Sequence, residues 1–158
     1  MEHIKAQSWK VGLVVVLIMV MAGSAACSKT PAAYTQARAT VDAYITAYEA
    51  KDAGGYLSLY DQDALYLDNG LGSFRALGPM YVRNLQTVIS NTFDEKDFKY
   101  DVQSSFVSND GRFAAIEGIY TNVGKDDKVV SAPMLIILEL KGDKIIKETD
   151  YYDGSQFE

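Results

Sequence analysis

The chain holds one histidine, one tryptophan and one cysteine in 158 residues, and all three fall within its first 27 positions, as His3, Trp9 and Cys27. A domain built from the remainder has no imidazole and no second thiol. This excludes a Ser-His-Asp or Cys-His nucleophile, a histidine-ligated metal and a structural zinc site. It also excludes a disulfide within one chain. Acid–base chemistry there must come from Asp, Glu, Tyr or Lys, and neither a metal nor an organic cofactor is expected. Positive charge is short as well: 15 Lys and Arg stand against 21 Asp and Glu, a formal net charge of −6. No basic patch interrupts that balance, so nucleic acid and electrostatic docking to anionic lipid are poor fits.

What the first residues do contain is an address. Lys5 and Lys10 precede the apolar run from Val11 to Met21, and the small residues Ser24, Ala25 and Ala26 stand directly before Cys27. The run is too short to span a bilayer comfortably and has the layout of a secretory signal peptide. Small residues before a lone cysteine resemble a bacterial lipobox, which makes Cys27 the lipidated first residue of the mature protein. The expected organisation is a signal peptide over 1–26, a short linker over 27–32, and one domain over 33–158. Several acyl chains on one cysteine anchor a protein without a spanning helix, so the expected location is the cell envelope, on the periplasmic or extracellular face of a bacterial membrane. The domain is long enough for one compact core.

Along that domain, apolar residues recur first at helical and then at strand spacing. Ala37, Val41, Tyr44, Ile45 and Tyr48 share one face of a helix expected from about Ala33 to Lys51. Asp52 can cap a short second helix anchored by Tyr56, Leu57, Leu59 and Tyr60. Ala64, Tyr66 and Asp68 then alternate along a strand that ends at Asn69-Gly70, a turn signal, with Leu71 to Leu77 returning as a strand or extended loop. Gly78-Pro79 is expected to open a third helix carrying Tyr81, Leu85, Val88, Ile89 and Thr92 on one side. After Asp94-Glu95 the period changes to 2, and four long strands follow, separated by Asn109-Asp110-Gly111, Gly124 to Asp127 and Lys141-Gly142-Asp143. The third of these, Val129 to Leu140, is nearly all apolar, which predicts that both its faces are covered. The fold class is α+β: a curved antiparallel sheet around three helices drawn from the N-terminal side, a cone with one open end.

This order resembles the nuclear transport factor two-like superfamily, in the branch of SnoaL-like polyketide cyclases and ketosteroid isomerases. The segments that carry the resemblance are VDAYITAYEAKD, YLSLYDQDALYLDNG, the Gly78-initiated segment and VVSAPMLIILELKGDKI, together spanning about Tyr34 to Asp153. It implies a homodimer through the open sheet face. It also implies that Tyr44 takes the place of the isomerase tyrosine that donates to an enolate oxygen, and Asp68 that of the catalytic base. The family's second donor, a protonated aspartate after an Ala-Pro pair, has no counterpart, because Ala132-Pro133 is followed by Met134, Leu135 and Ile136.

Each candidate has a plainer alternative. Asp68 is a pocket base or a turn residue before Asn-Gly. Tyr44 is a donor or core packing, with Tyr48 one turn later as its equivalent. Glu117 faces the pocket or the solvent according to strand parity, and either Asp150 or Asp153 is a second acid near the chain's end. Tyr66, Tyr81 and Leu135 complete the expected lining. Two functions follow. One is a membrane-anchored module that binds a small hydrophobic ligand or an envelope protein. The other is a cofactor-free isomerase, cyclase or dehydratase of a hydrophobic carbonyl compound, with Asp68 as base and Tyr44 as oxyanion donor.

Overall fold

The structure, a computed structural model, describes residues 30–70, 78–124 and 127–157. The signal segment and Cys27 lie outside the described residues, as does the 71–77 return. Pro31–Glu158 forms one compact unit. Helix α1, Ala32–Glu49, buries Ala37, Thr40, Val41, Tyr44, Ala47 and Tyr48 along one stripe. These positions step by three and four residues, so their side chains stack on a single face. The chain leaves α1 through Lys51 in a left-handed conformation, φ 55°. Asp52 then starts α2, Ala53–Ser58, by accepting a hydrogen bond from the Gly55 N–H. No helix among the described residues is long and apolar enough to cross a membrane.

Strand β1, Tyr60–Asp68, begins four residues earlier than the alternation at Ala64 suggested. Gly78-Pro79 opens no helix. It leads instead into β2, Met80–Tyr81, which pairs antiparallel with Leu65 and Tyr66 of β1. A 3-10 turn over Val82–Asn84 follows, and only then α3, Gln86–Asp94. Pro79 fixes its own φ and disfavours the helical region for the residue before it, which suits an extended lead-in as well as a helix start.

The remaining strands are β3 (Lys99–Val107), β4 (Phe113–Val123), β5 (Val129–Lys141) and β6 (Lys144–Tyr152). The six strands run in the order β2-β1-β6-β5-β4-β3. The sheet is mixed rather than wholly antiparallel, because β1 lies parallel to β6. That pairing sets Tyr66 opposite Glu148 and Asp68 opposite Asp150. It brings the end of β1 beside the end of β6.

Strand β5 is covered on one face only, contrary to the expectation from its composition. Ala132, Met134, Ile136, Leu138 and Leu140 are buried, while Val129, Ser131, Pro133 and Leu135 are exposed. The inward set packs under the helices, and the outward set lies on the far side of the sheet. Inside the cone, Tyr44, Tyr48, Tyr56, Tyr60, Phe93 and Phe98 form one aromatic cluster with contiguous ring contacts. Such ring pairs contribute about 0.5–1.5 kcal/mol each beyond the area they bury.

Candidate functional site

Three carboxyl groups converge inside the cone. Glu148 and Asp150 sit two residues apart on β6, so their side chains share the inward face, and Asp68 stands beside Asp150 across the parallel pair. Exposure is 1% for Glu148, 2% for Asp150 and 5% for Asp68. Carboxylates are seldom this buried unless paired with a cation. Here no basic side chain stands among the described residues that line the space around them.

Glu148 is satisfied by tyrosines. The Tyr44 hydroxyl donates to its Oε1 at 2.9 Å, Tyr56 lies 3.1 Å from both oxygens, and Tyr60 donates to Oε2. Tyr44 comes from α1, Tyr56 from α2 and Tyr60 from the start of β1, so one carboxylate ties three elements to β6. Burial pushes the Glu148 carboxyl above its ordinary range, and the bonds from Tyr60, Tyr44 and Tyr56 pull it back. Burial also raises all three tyrosines, which keeps them neutral donors.

Asp150 is poorly served by comparison. Burial pushes its carboxyl well above the usual range, and the neighbouring charge of Glu148 pushes the same way. The Tyr66 bond opposes this, and the charge of Asp68 adds to it. Its Oδ1 is buried and has no hydrogen-bond partner among the described residues. Two adjacent buried carboxyls cannot both ionise cheaply, so the pair shares a proton. Glu148, with its ring of donors, is the better placed of the two to carry the charge, and the proton is held more strongly at Asp150.

The Tyr66 hydroxyl stands between Asp150 and Asp68. It lies 2.9 Å from Asp150 Oδ2 and 3.3 Å from Asp68 Oδ2, and its single proton serves only one of them. It goes to Asp150 Oδ2, the nearer acceptor, and this is the bond that draws the Asp150 carboxyl back down. Asp68 also accepts from the Gly70 N–H at 2.7 Å and from the Tyr152 hydroxyl at 3.1 Å. It both lines the cavity and binds its own turn. Gly70 is required there, since a Cβ would lie 2.2 Å from the Tyr152 ring.

These groups face a cavity of about 110 Å³. Tyr48, Tyr66, Asp68, Asp150 and Tyr152 line it, Phe93 and Phe98 wall it, and the exposed Val88 of α3 stands at its rim. Of the residues singled out in the sequence, Tyr48, Tyr66, Asp68 and Asp150 are therefore brought together. Tyr44 is fully buried behind them with its hydroxyl on Glu148, outside the lining. Four others lie elsewhere. Tyr81 is exposed under the Arg83 guanidinium, 4.2 Å from its ring centre. Glu117 is on the outer face and accepts from Ser104 at 3.1 Å. Leu135 is on that outer face too, 39% exposed. Asp153 is exposed and accepts from the Ser155 N–H in the terminal turn. Glu148 and Tyr152 were not anticipated. The signal for both was the alternation Glu148, Asp150, Tyr152 on one face of a strand.

Solved structures with this architecture are known. A protein with a ketosteroid isomerase-like fold from Catenulispora acidiphila, in complex with trimethylamine, superposes with a TM-score of 0.59 at 20% identity, covering 75% of this chain and 88% of that one. A putative polyketide cyclase from Xanthomonas campestris pv. campestris gives 0.61 at 14% identity, over 77% and 93%. An epoxide hydrolase of M. tuberculosis, described as LEH-like, gives 0.62 at 16% identity, over 78% and 87%.

The fold is the nuclear transport factor two-like cone.

No protein-family model and no curated protein matches the chain. At these identities the likeness is one of fold, and function must be argued from the cavity. In this cone the helices close one side, the sheet the other, and the acids stand on the sheet where β1 and β6 meet.

Proposed function

We propose that the domain binds a small, largely apolar molecule in the cone and meets it with the carboxyl of Asp150, at the surface of a membrane to which lipidated Cys27 holds it. The observation that carries this reading is Asp150, a residue of the cavity lining whose buried Oδ1 has no hydrogen-bond partner among the described residues. A buried polar atom without a hydrogen bond costs about 1–3 kcal/mol, a liability that a folding role does not explain. The mixed lining, mostly aromatic with a few convergent polar groups, is the usual make-up of a ligand site. Neighbours in the same fold include a putative polyketide cyclase, an epoxide hydrolase and a trimethylamine complex, which supports the use of this cone for small molecules.

The test is to release and identify what the native protein carries. Mature protein purified from its own envelope should yield one compound in stoichiometric amount on denaturation. Val88→Trp, whose ring would block the rim, should yield far less. If neither protein releases a compound, and no apolar probe titrates into either, the ligand reading is wrong.

A second reading is favoured by the Asp150–Tyr66–Asp68 chain. Two carboxyls joined through one hydroxyl can take a proton from a substrate carbon and return it elsewhere, as a cofactor-free isomerase, cyclase or dehydratase requires. In that reading Asp68 is the base and Asp150 the donor to the developing oxyanion, with Tyr66 between them. Tyr44 supports the set through Glu148. Exchange of the α-proton of an enolisable ketone with deuterated solvent, lost in Asp68→Asn, is the expected result.

The outer sheet face supports a homodimer. Leu135 and Tyr151 are register partners there, and Phe106 pairs with Ala115, which in turn pairs with Ile137. Phe106, Leu135 and Tyr151 are 67%, 39% and 49% exposed, so they present a contiguous apolar surface that a second copy would cover.

A further inference from the structure

Resting on the reading of the cone as a small-molecule pocket, we infer that its ligand carries a compact positive charge, an amine or quaternary ammonium group held against Asp150 and Glu148 and enclosed by aromatic rings. The lining has three carboxyl groups and, among the described residues, no Lys, Arg or His. An anionic ligand would be repelled at contact distance in a medium of low dielectric. A neutral apolar ligand would leave Asp150 Oδ1 as it is, buried and without a partner. A cation answers both conditions: it displaces the proton of Asp150 and meets the carboxylate that forms, with Glu148 beside it.

The walls fit the same chemistry. Tyr48, Tyr66, Phe93, Phe98 and Tyr120 surround the space, and the negative faces of such rings attract ammonium groups within about 6 Å of their centres. Aromatic cages of this kind recognise quaternary ammonium ions elsewhere. The size is restrictive. An apolar cavity of roughly 150 Å³ holds benzene, so about 110 Å³ here suits a group of four or five heavy atoms, or the head of a longer molecule. The chain's net charge of −6 raises the local concentration of cations before they enter. Bound charge stabilises the ionised form of Asp150, so ligand entry drives its proton to solvent.

The experiment compares tetramethylammonium chloride with tert-butanol, a neutral molecule of the same heavy-atom count, by thermal shift and calorimetry on the mature native protein at pH 8. Tetramethylammonium should raise the melting temperature and bind at least tenfold more tightly than tert-butanol. Asp150→Asn should lose that tenfold preference. Its own melting curve reports whether it folds, and Asp150→Ser provides a second uncharged variant. If tert-butanol binds as well as tetramethylammonium, the charge inference is overturned and the pocket reading stands. If neither binds, both fall. If Asp150→Asn keeps the preference, the assignment to Asp150 is wrong.

Discussion

Glu148 and Asp150, two residues apart on one strand and equally buried, should respond to neutralisation with opposite signs. Glu148→Gln keeps the volume and one acceptor oxygen, but its amide NH2 replaces the other of the two oxygens that Tyr44, Tyr56 and Tyr60 share. At least one hydroxyl must turn or go unsatisfied, and charge-assisted bonds become neutral ones. Each buried donor left without an acceptor costs about 1–3 kcal/mol. For a domain of this size 1 kcal/mol moves the melting temperature by about 4 °C, so a fall of roughly 4–12 °C follows. Glu148→Leu removes all three acceptor contacts at once. Three such losses amount to about 3–9 kcal/mol, comparable to a whole stability of about 5–15 kcal/mol, and the variant should fail to fold. Asp150→Asn does the reverse. Its amide can donate to Glu148, and it no longer has to hold a proton that solvent would take. The folded carboxyl binds its proton more tightly than the unfolded one. Its contribution to stability is therefore whole below the ordinary carboxylate pKa and is lost as pH rises from there through the raised value. The advantage of Asp150→Asn over wild type should be absent near pH 4 and grow toward pH 8, to about 1–3 kcal/mol. Thermal unfolding of the three proteins across that range is the assay. Equal destabilisation by Asp150→Asn and Glu148→Gln at pH 8 would refute the division of roles.

Three further outcomes follow from the same geometry. Gly70→Ala drives a methyl into the Tyr152 ring, so it should destabilise by more than Tyr152→Phe, which loses one hydrogen bond to Asp68; comparative melting decides. Leu135→Lys should convert a dimer to a monomer in sedimentation at micromolar concentration without lowering the melting temperature of the domain, because Leu135 is on the outer face. Cys27→Ser should shift the protein from the membrane fraction to an unlipidated form, read by fractionation and intact mass.

Much of the cone was legible because hydrophobic period is a local property. The stripe through Val41, Tyr44 and Tyr48 and the alternation of the last strands needed no partner to be read. What escaped depended on pairing. The parallel register that sets Asp68 beside Asp150 joins residues at the two ends of the domain. Glu148 draws its donors from 88 to 104 residues away. The alternation in ETDYYDG puts Glu148 on the face of Asp150 and Tyr152, but it does not say that this face is the inward one. The helix expected at Gly78-Pro79 failed because proline suits both an extended lead-in and a helix start, and pairing with β1 decided for the former. The outer face of β5 was misread for the same reason in reverse: Leu135 and Val129 look like core residues, and only the absence of a covering layer in one chain makes them surface. Tyr44 and Asp68 were both in view from the start, but which of them reaches the cavity depends on Glu148 standing between Tyr44 and the lining.

Whether Asp150 holds a proton in the empty cavity can be read by infrared difference spectroscopy of wild type against Asp150→Asn at pH 7, without ligand. The wild type should show the carbonyl stretch of one protonated carboxylic acid, missing from the variant. A wild-type spectrum without that band, or a band that survives in Asp150→Asn, would mean that Asp150 is not the neutral acid.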